Sequence, residues 1–366
     1  MNFLFFFVHP SKFHVFKNTI NTLKSNGHHV EIAITSKDVL EQLLINEGWE
    51  YTNIFPEGRK MKHVSPLISS FINLFRTIYR LWKFTKNKNF DLFITDDLLV
   101  YIGKFKRIKS IVFLDDDIQV VKPFSIILKA ADYCLAPNIT NLGKFESKRI
   151  GFNGYKELAY LHPNHFKPNE EIIKKYSSEN STYFILRLVS LRAYHDVGVS
   201  GIDTKKSLEL IELLSKFGRV YISAERELIP ELEKYRIIIE PENLIHVLSN
   251  AKLYIGDSQT MSSEASILGV PSFRISDFNG KISVMEEKVD LKLSKSYKSS
   301  DFLILLKDVK ECLENETEFV RDIKLNQLNM ITEKIDLSTF MIWLFENSPV
   351  SFDICKKDKN YATKFK

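Results

Sequence analysis

The stretch Leu253 to Ile275, LYIGDSQTMSSEASILGVPSFRI, carries the residues best spaced for chemistry. It reads as a short apolar strand, a polar loop, a short helix closed by Gly269, and a second strand after Pro271. Asp257, Ser258, Gln259 and Thr260 follow Gly256 between an apolar run and a helical one. The loop therefore hands its backbone N–H groups to a helix start, where an anion is favoured. Glu264 stands six residues after Ser258, about a turn and a half into that helix, where a carboxylate could hold ribose hydroxyls while a diphosphate sits on the cap. Together these side chains suggest a nucleotide-sugar site. The pattern also suits an ordinary helix N-terminus, because a polar cap and an early glutamate complement the helix dipole with no ligand present.

Other candidates stand at predicted strand ends. His14 follows the first apolar strand, with His9 and Ser11, and is read either as a catalytic residue or as a packing histidine at a helix start. Two strands end in carboxylates, one in Asp96-Asp97 and one in Asp115-Asp116-Asp117. At the ligand side of a parallel sheet these could orient an acceptor hydroxyl as a base, with Asp115 as the catalytic candidate, or simply cap the helices that follow. The strand Tyr183 to Leu188 leads into a loop, 190–201, that carries Arg192, His195 and Asp196. Arg187 is the candidate phosphate clamp, and His195 beside Asp196 the candidate acid–base pair. No metal-ligand pattern is present, so no essential metal is expected.

The elements that must position these groups alternate between strand and helix. Asn2 to Val8, a helical stretch from Lys12 to Asn26 and Val30 to Ile34 make a βαβ unit, whose ligand side lies at the strand C-terminal ends. Trp49 to Phe55 reads as a strand, and Pro66 to Lys86 as a long amphipathic helix with an aromatic face interleaved with Arg76, Arg80, Lys83 and Lys86. Its basic side is expected in solvent, or the segment 66–88 meets anionic head groups at a membrane. We expect an α/β protein of two Rossmann-like parallel-sheet domains facing a central cleft. Its divisions are an N-terminal domain, 1–160, a linker, 161–181, a C-terminal domain, 182–335, and a helix with a basic tail, 336–366, that crosses back.

Composition bounds the class. With 366 residues, 44% hydrophobic and 27% charged, the chain is globular and long enough for two domains. A net charge of +5 with both signs interspersed does not indicate nucleic acid. Three widely spaced cysteines suit a reducing compartment, and the apolar start at Phe3 to Val8 lacks the flanks of a signal peptide. We expect a cytoplasmic protein, with peripheral contact at the inner face of the membrane as the further reading.

Asp257-Ser258, Glu264-Ala265, Leu268-Gly269 and Pro271 stand at the spacing of the DS…EA..LG.P signature of hydrolysing UDP-N-acetylglucosamine 2-epimerases, and resemble the nucleotide-binding segment of GT-B glycosyltransferases. Gln259 and Thr260 take the place of the epimerases' usual glycine pair. Phe152 to His162, FNGYKELAYLH, is similar to a segment of an uncharacterised bacterial and archaeal family of the GT-B superfamily, often encoded with surface-polysaccharide genes. The His9-Pro10…His14 pattern, Arg187…His195-Asp196 and the Asp257 motif fall in that family's order. The resemblance implies a GT-B fold, with the diphosphate on Ser258 and the amides that follow, and the ribose on Glu264.

The resulting expectation is a metal-independent glycosyltransferase of polysaccharide or glycan biosynthesis. It would need no cofactor and would use a UDP-linked sugar as donor with a glycan or lipid-linked acceptor. A UDP-N-acetylglucosamine 2-epimerase-like activity is the alternative, although the epimerases' Gly-Thr-Arg-Pro-Glu and His-Arg-Arg-Glu-Asn motifs are absent. A non-catalytic nucleotide-sugar-binding protein is the second alternative.

Overall fold

The first strand, β1 (Asn2–Phe7), is NFLFFF, and Phe3 to Phe7 are fully buried. A run with no polar alternation belongs inside a parallel sheet covered on both faces. The computed structural model describes residues 1–35, 39–59, 66–177, 182–189 and 201–366, and among these β1 is joined by β2 (His29–Ile34), β3 (Thr52–Asn53), β4 (Leu92–Thr95), β5 (Lys109–Phe113), β6 (Tyr133–Pro137) and β7 (Arg149–Phe152). They form one parallel sheet in the order β3-β2-β1-β4-β5-β6-β7. The order reverses between β1 and β4, which makes the carboxyl ends of those two strands the topological switch point of the sheet. Leu4, Phe6 and Phe93 face one core cluster, while Phe5 and Phe7 meet Phe16 on the helix Pro10–Ser25.

The chain divides into two compact units, one of 1–160 with 334–366 and the other of 161–333. In the first, the helix Leu337–Glu346 packs on Pro10–Ser25, and Phe345 meets Phe5 edge to face at 6.2 Å. The stretch Trp49 to Phe55, expected as a strand, pairs only at Thr52–Asn53. Asn53 Oδ1 accepts the N–H of Phe55 and turns the chain out of the ladder, while Trp49 is anchored by its indole N–H on Asn21.

The second unit repeats the plan with β8 (Tyr183–Leu188), β9 (Arg219–Ala224), β10 (Leu253–Gly256), β11 (Ser272–Ile275) and β12 (Lys295–Tyr297), all parallel, in the order β12-β11-β10-β8-β9. An isolated parallel bridge from Ile222 to Arg236 occupies the position beyond β9. The switch point here lies between β8 and β10. Phe184, Leu186 and Leu188 face one core with Leu305 and Val309, while Tyr183 and Ile185 face another with Tyr221 and Tyr254. β12 has no apolar run to announce it. It forms because Lys295 to Tyr297 register against Phe273 to Ile275.

Candidate functional site

In the second unit the cap and the switch point coincide. Ser258 has extended backbone and its Oγ accepts the N–H of Met261 at 3.4 Å, starting the helix Gln259–Ile267 at the carboxyl end of β10. The helix stops at Gly269, whose φ of +72° is left-handed and favours glycine. Gln259 and Thr260 lie half-buried in the first turn, whose N–H groups lack carbonyl partners within the helix. Ligands of doubly wound sheets bind at such a point.

Asp257 is buried and turned back into the protein. Its Oδ1 accepts the N–H of Val189 at 2.7 Å and its Oδ2 that of Ile202 at 3.3 Å, which ties the end of β8 to the approach of the helix Thr204–Leu214. Burial lifts its pKa to about 6 against the opposing pull of these two N–H groups. Asp257 therefore holds the loops on either side of the switch point together. Arg187, one register across from Gly256, donates to Ser223 Oγ at 2.6 Å and to Glu225. Its Nε is buried with no hydrogen-bond partner among the described residues.

Glu264 is buried on the same helix as the cap. Below the loop lies Tyr254, whose hydroxyl donates to the Ser258 carbonyl at 3.3 Å. Burial pushes that phenol well above its ordinary range, and it feels Asp257, Arg187, Glu264 and Arg274. Arg274, fully buried on β11, did not stand out in the sequence reading; the available signal was a lone cation inside the apolar run SFRI.

Gly256 makes this arrangement possible. A Cβ there would lie 2.4 Å from the Tyr254 hydroxyl and 2.8 Å from Arg187 Cβ. Gly256→Ala is expected to destabilise the protein by about 1–3 kcal/mol. Tyr254→Phe in the same background should recover part of the loss, and chemical denaturation of the three variants checks this.

The first unit sorts its carboxylates by their partners. Asp115, after β5, is buried between Lys156 Nζ at 2.8 Å and Lys12 Nζ at 3.9 Å. Burial alone would raise its pKa, but the two ammonium groups prevail and hold it at about 2. Lys156, which burial pulls down, is pushed above its ordinary range by Asp115, Glu157 and Asp116. A carboxylate held this way is a poor proton acceptor at neutral pH, and its evident part is to anchor two lysines at the sheet's ligand edge. Asp97 is a cap: Oδ1 accepts the N–H of Leu98 at 2.6 Å, and Oδ2 takes Arg59 at 2.8 Å. Asp117 likewise accepts the N–H of Asn141 at 2.6 Å.

Asp96 differs from all of these. It stands at the end of β4, at the switch point with β1, and its Oδ1 is buried with no hydrogen-bond partner among the described residues. Burial raises its pKa to about 6, with Lys12 opposing and Asp97 assisting. In the sequence Asp96 and Asp115 both stand at strand tips, Asp115 being the catalytic candidate. What separates the two is strand order, which places β4, not β5, beside β1.

His14 lies half-buried between the rings of Phe13 and Tyr160, at 5.3 and 5.4 Å. Burial and the nearby Lys17 lower its pKa to about 4, so the imidazole is neutral at physiological pH. His195 and Asp196 lie outside the described residues, as does Arg192.

A family model described as "Protein of unknown function (DUF354)" matches residues 7–347. No protein with a curated description matches this sequence. Among solved structures, a UDP-GlcNAc 2-epimerase from Neisseria meningitidis bound to UDP-GlcNAc is similar, with 15% identity, a TM-score of 0.66 and coverage of 95% of this chain and 100% of that one. The spinosyn forosaminyltransferase shares 14% identity and a TM-score of 0.59, over 94% of this chain and 98% of that one. The UDP-GlcNAc 2-epimerase of Methanocaldococcus jannaschii, in complex with UDP-GlcNAc and UDP, shares 14% identity and a TM-score of 0.60, over 85% and 92%. At these identities the likeness establishes the fold, which is that of the GT-B glycosyltransferases and UDP-GlcNAc 2-epimerases.

Proposed function

The chain belongs to the DUF354 family, and we propose that it is a nucleotide-sugar-dependent glycosyltransferase of surface-polysaccharide or glycan biosynthesis, with a UDP-linked donor. The observation that carries this reading is the coincidence, at the second sheet's switch point, of a Ser258-capped helix start with a buried Glu264 on the same helix. In this reading the N–H groups of the first turn receive the donor diphosphate and Glu264 its ribose. Gln259 and Thr260 border the diphosphate, and Arg187 adds positive charge as the leaving group departs. Stabilising the leaving diphosphate with preorganised N–H groups and a guanidinium supplies the electrostatic part of the catalysis without calling on a metal. A glycan or lipid-linked hydroxyl is the acceptor, and the first unit supplies its base.

The test is thermal shift with UDP-, CDP-, GDP- and dTDP-sugars, followed by NMR of any turnover, on wild type and Glu264→Gln. One nucleotide should raise the melting temperature, and the variant should bind it about ten- to a hundredfold more weakly, the effect of losing one charge-assisted hydrogen bond. Change at C2 of the sugar without acceptor would identify an epimerase using the same donor residues. Binding with no turnover, even with glycan acceptors supplied, would identify a binding protein. No shift with any nucleotide sugar would leave the motif an ordinary helix cap.

A further inference from the structure

The helix Pro66–Thr85 has two apolar faces, and only one is used by the fold. Thr77 and Leu81 are buried, and Ile78, Trp82 and Phe84 pack on the core around Phe93 and Leu99. On the opposite face Ile68, Phe71, Phe75 and Tyr79 are 56%, 65%, 56% and 61% exposed. Their spacing of three and four residues sets them in one stripe along the helix. Of the basic residues expected in solvent, Lys83 and Lys86 are exposed, whereas Arg76 and Arg80 turn sideways onto Glu57 and over the Phe55 ring. A contiguous exposed apolar stripe marks an interaction surface.

Charge identifies the partner. From Pro66 to Phe90 there are five Lys and Arg and no Asp or Glu, in a chain with 46 acidic residues. Exposed Lys83 and Lys86 continue the line of the stripe past its aromatic end, where Tyr79 stacks on Trp82 and Lys86 lies over the same indole at 5.3 Å. Apolar and aromatic side chains flanked by lysines, on a segment with no carboxylate of its own and with the neighbouring Glu57 neutralised by Arg76 and Arg80, are what a helix lying in a lipid interface presents. No helix among the described residues is long and apolar enough to cross a membrane, so the contact would be in the plane of the surface.

We propose that the outward face of Pro66–Thr85 docks the first unit on an anionic lipid bilayer. The aromatic stripe enters the head-group boundary, and Lys83 and Lys86 meet lipid phosphates. This surface lies in the first unit and does not depend on the nucleotide-sugar reading of the second.

The test is cosedimentation of the full chain with vesicles of phosphatidylcholine alone and of phosphatidylcholine with phosphatidylglycerol. It is repeated for the triple variant Phe71→Ser, Phe75→Ser, Tyr79→Ser and for the double variant Lys83→Glu, Lys86→Glu. Because these side chains already face water, both variants should melt like wild type, and any nucleotide-sugar shift should be unchanged. Wild type is expected to bind the anionic vesicles, and each variant to lose about tenfold or more in partitioning. The charge-reversal loss should shrink at high salt. Equal binding to both vesicle types, no binding to either, or a serine variant that sediments like wild type would overturn the proposal. So would a wild-type dimer that the serine variant abolishes, since it would assign the face to a second copy of the chain.

Discussion

Asp115→Ala is expected to destabilise the protein by about 3–5 kcal/mol, because it removes the carboxylate that is ion-paired with both of two buried ammonium groups. Lys12 and Lys156 are each under 10% exposed, and both ion pairs in which they engage Asp115 disappear with the carboxylate. What remains for Lys12 is the Phe113 carbonyl at 3.3 Å and the Phe113 ring. The structural consequence is wider than one pair. Lys12 begins the helix after β1, Lys156 follows β7, and the Asp115 carbonyl accepts the Thr140 hydroxyl from beyond β6. The Thr140 bond is to the backbone and survives, but removing the carboxylate loosens the ligand edge of β1, β5 and β7, and the first unit's melting temperature should fall by roughly 10 °C. Asp115→Ala with Lys156→Met should be more stable than Asp115→Ala alone, because one uncompensated charge leaves with its side chain. Acid titration supplies the sign check. The native pKa of Asp115 lies below its unfolded value, so its stabilisation is complete above that value and is lost as pH falls from about 4 toward 2. The variant should lack this acid-dependent step. A loss under about 1 kcal/mol would mean that water or a neighbour satisfies the lysines.

The contrast between Asp115 and Asp96 also marks how far sequence reasoning reached. Strand tips ending in aspartate were legible, because an apolar run followed by Asp in an α/β pattern leaves little choice of place. The Ser258 cap, its helix and the glycine that ends it were legible for the same reason: each depends on neighbours within a few residues. What escaped depends on distant ones. Lys156 reaches Asp115 from 41 residues away, and strand order decides which tip borders the switch point. β12, only three residues of mixed polarity, exists by pairing with β11. For Pro66–Thr85 the sequence leaves a core-facing helix and a membrane-facing one both open, because hydrophobic periodicity counts apolar residues without telling which face the core claims.

Asp96→Asn is expected to make the protein more stable at pH 8 and at the same time nearly inactive. The native pKa of about 6 exceeds the ordinary 3.8, so Asp96 keeps its proton longer in the folded state than in the unfolded one. Stability attributable to this group is greatest below pH 4, declines as pH rises through that interval, and above about 6 the ionised carboxylate costs on the order of 3 kcal/mol. Asparagine removes the charge and with it the cost, so wild type and variant should coincide near pH 4 and separate as pH rises. Catalysis runs the other way. In the proposed transferase Asp96 takes the proton of the acceptor hydroxyl, a role that suits a half-buried carboxylate whose Oδ1 is buried and unpartnered among the described residues and whose pKa lies near the working pH. The wild-type rate should therefore rise with pH through about 6 and then level. Asp96→Asn should lose about 10²–10⁴ in kcat, with little change in donor affinity, because the donor is assigned to the other unit. Asp97→Asn is the internal control, since its carboxylate already holds the Leu98 N–H and Arg59, and it should lose stability without removing the pH dependence. If Asp96→Asn keeps the wild-type pH–rate profile, the base lies elsewhere. If it loses stability at pH 8, the carboxylate is held in place for structure and has no proton to move.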